Sequence, residues 1–136
     1  MPGTRTTGHF TFADWKENPV GPEDTTPRLA HASVVNTFTG GIEAAGTFCE
    51  YAIAYLADKS GSFTGMELLT GRLDGREGAF ALEERGTFDT DGTVHCRFEV
   101  VPGSGTGELT GLRGTGRFTA RPGEKSVAYS FEYEVE

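Results

Sequence analysis

Apolar and polar positions alternate with a period of two along most of this chain. Near its end, Val127, Tyr129, Phe131, Tyr133 and Val135 share one parity, while Ala128, Ser130, Glu132 and Glu134 share the other. Successive side chains of a strand point to opposite faces, so the aromatic parity is the buried one. The same rule turns Tyr51, Ile53 and Tyr55 inward, with Glu50 and the neighbouring alanines outward. Phe63, Leu69 and Leu73 form the apolar face of the next strand, and Glu67 has their parity. Phe80, Leu82 and Phe88 form that of its partner, and Glu84 falls on it. Val94, Cys96, Phe98 and Val100 complete the set. In the stretch LAHASVVNTF, around His31, neither parity is clearly apolar.

Strands are predicted over residues 8–16, 28–39, 42–57, 62–73, 78–88, 93–101, 114–120 and 126–135, with no helical period anywhere. Residues 18–27 hold three prolines and read as a surface loop. Six times a phenylalanine follows a glycine by two residues, at Gly8/Phe10, Gly46/Phe48, Gly61/Phe63, Gly78/Phe80, Gly86/Phe88 and Gly116/Phe118. Such punctuation marks a small all-β domain, and about eight strands suffice to close an antiparallel barrel that holds side chains or one small ligand. Asp74-Gly75 and Asp91-Gly92 mark hairpins, so strands adjacent in sequence are expected to pair. A single domain over residues 1–136 follows, with an ordered core over 8–135.

Two inward glutamates are the main chemical signal. A turn centred between Gly75 and Arg76 would set Phe63 opposite Phe88, Gly65 opposite Gly86, Glu67 opposite Glu84 and Leu69 opposite Leu82. Two opposed carboxyls on an apolar face cannot both ionise easily, which leaves an acid and a base side by side. Such a pair can protonate a carbonyl or remove a proton beside one. The competing structural reading places one glutamate at the rim, turns one outward through a slip or bulge, or neutralises both with Arg97.

Other groups change the picture less. His31 reads as a hydrogen-bonded strand residue, and His9 and His95 as solvent-exposed. No histidine spacing suggests a metal, and no cofactor is expected. Cys49 and Cys96 are too far apart for a metal or redox motif and read as buried thiols. Trp15 adjoins the proline-rich loop and reads as packing or as a lid on the barrel mouth.

The chain has 136 residues and a net charge of -8, which argues against nucleic-acid and anionic-membrane partners. The apolar stretches of a signal peptide or a membrane span are not seen, so a cytoplasmic location is the default expectation. Met66 and Leu68 fall on the outer face and are the expected contacts of a homo-oligomer.

The glycine-rich run Pro102–Gly114 lacks a Walker lysine and reads as a tight connection between strands. At this run the chain resembles a known family. VVPGSGTGELTGLRGTGRF (100–118), FTGMELLTGRLDGREGAFALEERGTF (63–88) and FTGGIEAAGT (38–47) resemble the bacterial domain of unknown function 3224, over residues 8–133. The resemblance implies a barrel similar to that of allene oxide cyclase and no established activity. Where relatives tend to read Gly-Asp-Ile-Glu-Gly, this chain has Gly40, Gly41, Ile42, Glu43 and Ala44; where they often carry a histidine, it has Glu84.

Two functional expectations follow. One is a cofactor-independent cyclase or isomerase acting on a small, apolar, oxygen-bearing molecule. Glu67 and Glu84 would manage protons, and Tyr51, Tyr55, Phe63, Phe80, Phe98, Tyr129, Phe131 and Tyr133 would line the cavity. The alternative is a carrier or sensor of a small hydrophobic ligand, in which the carboxyls are structural.

Overall fold

The computed structural model describes residues 3–135. Met1, Pro2 and Glu136, which the single-domain expectation also covers, lie outside the described residues. Eight strands run in sequence order: β1 (Thr4–Val20), β2 (Arg28–Gly40), β3 (Ile42–Tyr55), β4 (Gly61–Leu73), β5 (Arg76–Phe88), β6 (Val94–Val100), β7 (Leu112–Ala120) and β8 (Ser126–Val135). Each pairs antiparallel with the next, and β8 closes on β1. The all-β, closed-barrel expectation holds. No helix among the described residues is long and apolar enough to cross a membrane.

The barrel has two unlike ends. At one, the 3-10 turn Gly107–Leu109 folds inward, and Leu109, Leu112, Ile42 and Leu73 are almost fully buried. Tyr129 ties this end together: its hydroxyl accepts a hydrogen bond from the Ile42 amide at 2.8 Å and donates to the Thr39 carbonyl at 3.0 Å. The Tyr133 hydroxyl donates to Asp74 at 2.5 Å. The opposite end is a mouth, with a taller wall on one side. β1 pairs with β8 only over Thr4–Thr11, yet with β2 as far as Val20.

That extension corrects the expected loop. Residues 18–20 are strand, so the irregular connection covers only 21–27. Pro19 is tolerated because this part of β1 has no second neighbour, so its missing donor leaves no ladder bond unmade.

The β4–β5 register also departs from expectation. The turn is the two-residue Asp74-Gly75, with φ of 48° and 88°, as a type I′ hairpin requires. Phe63 therefore pairs with Gly86, Gly65 with Glu84, Glu67 with Leu82, and Leu69 with Phe80. The parity of every residue is as read from the sequence, but the pairing is offset by two. Packing favours this offset, because a ring can lie across a glycine. A Cβ on Gly86 would fall 2.5 Å from Phe63 Cζ, and one on Gly116 2.3 Å from Phe98 Cζ.

Candidate functional site

The site forms where four strands bring polar side chains into the apolar interior. β2 supplies Asn36, which has the same inward parity as Phe38. β3 supplies Thr47, Cys49 and Tyr51, and a bulge decides this. Ile42 and Ala44 point inward at even positions. Between Glu43 and Phe48 the register shifts, with Gly46 at φ 64°, and the inward parity becomes odd. β4 and β5 supply Glu67 and Glu84, each 2% exposed. Neither glutamate is near the rim. Arg97 does not neutralise them, because it lies on the outer wall between Arg85 and Arg117.

The two carboxyls are partnered differently. Glu67 Oε2 accepts from Asn36 Nδ2 at 2.8 Å and from Thr47 Oγ1 at 2.5 Å. Glu84 Oε1 accepts from the Tyr51 hydroxyl at 3.0 Å and, weakly, from the Cys96 thiol at 3.8 Å. Burial holds the Glu84 carboxyl well above the usual carboxylate range, and its hydrogen bond to Glu67 and the charge of Glu67 act in the same direction. Glu84 therefore keeps its proton to higher pH than an ordinary carboxyl does. No buried side-chain polar atom among the described residues lacks a partner.

Burial and the same carboxyls push the thiols of Cys49 and Cys96 and the phenol of Tyr51 up, so all three stay protonated. Among the described residues, Cys49, Glu67 and Glu84 are the one set that could hold a metal ion, with ligand atoms within 4.8 Å of one another. A cation there would have to displace well-held protons from a space of about 10 Å³. That space, walled by Phe10, Phe38, Leu82, Phe98 and Phe118 beside the polar groups, is about one water in size.

Above it opens a larger cavity of about 340 Å³ that reaches the mouth. Its walls are almost wholly apolar: Phe12, Trp15, Val34, Ile53, Tyr55, Phe63, Phe88, Val94 and Val127. Phe10, Asn36, Tyr51 and Phe118 line both spaces and so make the floor of one and the roof of the other. At the rim, Glu17 joins two strands. It accepts from Trp15 Nε1 at 3.1 Å and from the Tyr55 hydroxyl at 2.5 Å. The Arg28 guanidinium sits 4.1 Å from the centre of the Tyr55 ring. Burial and the Glu17 bond push the Tyr55 phenol up to about 12.

The expected cavity residues thus divide between two places. Tyr51, Tyr55 and Phe63 line the mouth cavity, and Phe98 borders the small chamber with Glu67 and Glu84. Phe80, Tyr129, Phe131 and Tyr133 instead pack in the core of the plugged half. Those four side chains line neither space. His31 and His95 are exposed and paired with Glu50 at 2.9 Å and Asp89 at 3.0 Å; His9 is exposed. Sequence reasoning passed over Asn36 and Thr47. Asn36 shares parity with Phe38, but the mixed character of β2 hid that signal. Thr47 has the parity of Cys49 and Tyr51, which was legible.

Comparison with known proteins gives the family and stops there. The model of a family of proteins of unknown function, DUF3224, matches residues 6–133. The chain belongs to the DUF3224 family. A crystal structure of a member from Shewanella oneidensis MR-1, itself described as of unknown function, is 34% identical, covers 98% of both chains and superposes with a TM-score of 0.77. No curated protein matches the chain.

Proposed function

We propose that the barrel binds a small, largely apolar, oxygen-bearing molecule in the mouth cavity and isomerises or cyclises it without a cofactor. One observation carries this reading. The floor of an aromatic cavity is made by Tyr51 and Asn36, and both are hydrogen-bonded to a buried carboxyl pair in which burial and the neighbouring Glu67 raise the pKa of Glu84. Apolar cavities with a few convergent polar groups and displaced acidities are where small-molecule chemistry concentrates.

The chemistry needs no outside reactant. Tyr51 gives its proton to the ligand oxygen and takes one from Glu84. A carbon-bound proton leaves the ligand for a water in the small chamber beneath the floor, that water gives one to Glu67, and transfer from Glu67 to Glu84 restores the couple. The ligand ends with the atoms it began with, and the walls hold the reactive chain in one conformation.

The alternative, a carrier or sensor, draws on a different observation. The carboxyl network is fully hydrogen-bonded within itself and lies beneath the floor, so it also serves simply to hold Tyr51 and Asn36 in place. 2-Tetralone, an apolar ketone with exchangeable α-protons, separates the readings. It should quench the fluorescence of Trp15, the only tryptophan. In D2O its α-deuteration should be faster with the protein than with buffer. Glu84→Gln should slow that exchange by roughly 10²–10⁴-fold, the usual range for a positioned acid or base, with quenching retained. Quenching without accelerated exchange would leave the carrier reading. No quenching, together with no small molecule co-purifying in native mass spectrometry, would overturn both.

A further inference from the structure

Cross-strand register places three arginines in one line on the outer wall. Arg85 of β5 pairs with Arg97 of β6, and Arg97 pairs with Arg117 of β7; all three are exposed. Like charges directly opposed on a sheet are destabilising, and this protein carries net charge -8, so carboxylates are plentiful. Even so, none of the three has an ion pair within 4.0 Å or a side-chain hydrogen bond among the described residues. Elsewhere among the described surface residues, carboxylates do pair with Arg72, His31 and His95.

The surroundings define the shape of what fits. Two shallow grooves, of about 620 and 430 Å³, meet at Arg97 and Arg117. Thr64 pairs with Arg85 and so ends the arginine row itself, while on the mouth side runs the next row, Thr87 and Thr119 with His95 between them in register. On the other side runs an acidic row, Glu83 opposite Glu99, continuing to Glu132, with Arg5 beyond it. That row repels anions, so the attractive strip is one residue wide and about 10 Å long across three strands. A duplex or an acidic protein surface would lay negative charge over Glu83, Glu99 and Glu132 as well. A short, thin, multiply charged anion would not. Guanidinium forks match phosphoryl oxygens two at a time, and one phosphate cannot serve three forks in a row.

We infer that Arg85, Arg97 and Arg117 form a surface site for a small oligophosphate, a ligand with two or more linked phosphoryl groups. The site lies outside the barrel and does not depend on the mouth cavity. Isothermal titration calorimetry with inorganic pyrophosphate at low ionic strength tests it. One site per chain is expected, with tighter binding than orthophosphate or citrate and affinity that falls as sodium chloride is added. Arg97→Gln should weaken pyrophosphate at least tenfold, Arg97→Lys by less, and the Arg97→Gln/Arg117→Gln pair should abolish it. Arg72→Gln, on a different part of the wall, should have no effect. Absence of binding to the wild type would overturn the assignment. So would equal affinity in wild type and Arg97→Gln, or citrate binding as tightly as pyrophosphate.

Discussion

At the scale of single residues, Glu67 and Glu84 differ in what surrounds each carboxyl. Removing Glu67 leaves two buried donors, on Asn36 and Thr47, with no acceptor. Each such orphan costs about 1–3 kcal/mol, so Glu67→Ala should destabilise by roughly 2–6 kcal/mol in urea unfolding. Glu84→Gln is expected to behave in the opposite way near neutrality. The native state keeps Glu84 protonated above its ordinary value of 4.5, whereas the unfolded chain ionises there. The stability this gives is fully present below pH 4.5 and is lost as pH rises towards the native value. Glutamine keeps the shape and carries no proton to lose. The stability of Glu84→Gln relative to wild type should therefore rise with pH through the weakly acidic range above 4.5, by at most about 1.4 kcal/mol per pH unit, until the native carboxyl ionises. A difference that stays flat across that range would mean that Glu84 is ionised in the native protein.

At the scale of elements, paired strands set both the rings and the charges. Gly65 pairs with Glu84 and lies under the Tyr51 ring; a Cβ there would meet Tyr51 Cδ1 at 2.6 Å. Gly65→Ala should cost about 1–3 kcal/mol by overcrowding, read as a lower melting temperature. On the outer face, Arg97→Gln relieves two like-charge contacts. Without added anion it should stabilise by roughly 0.4–2 kcal/mol, measured by denaturant unfolding. Strand parity was legible in the sequence for Tyr51, Glu67, Glu84 and the aromatics of β8, because a period of two needs no knowledge of partners. Pairing was less so. Apolar-to-apolar matching favoured Phe63 opposite Phe88, whereas the choice between a two-residue turn and a longer one moves the register without changing any parity. The bulge at Gly46 also left no mark in the alternation, because a glycine there reads equally well as ordinary turn punctuation. That bulge is what brings Thr47 into the carboxyl cluster.

At the scale of the whole molecule, the eight-strand closure was readable from strand number and turn spacing, whereas the unequal height of the wall was not. The proline-rich segment looked like loop because proline weakens a central strand, yet β1 has only one neighbour there. That extra height carries Trp15 over the cavity and lets Glu17 join β1 to β3. Glu17→Ala removes both bonds. It should raise the rate at which 2-tetralone leaves while changing global stability by less than about 1 kcal/mol, since the pair is solvent-exposed. Stopped-flow fluorescence of Trp15 reads the first effect and denaturant unfolding the second.

The 3-10 plug at Leu109 makes the barrel a cul-de-sac. Whatever enters past Trp15 must leave the same way, so two guests cannot follow one another through the lumen, and a second waits until the first has gone. For the isomerase proposed above, dissociation would then be the gate on every cycle, and crowding at the entrance would slow turnover where a through-channel would speed it.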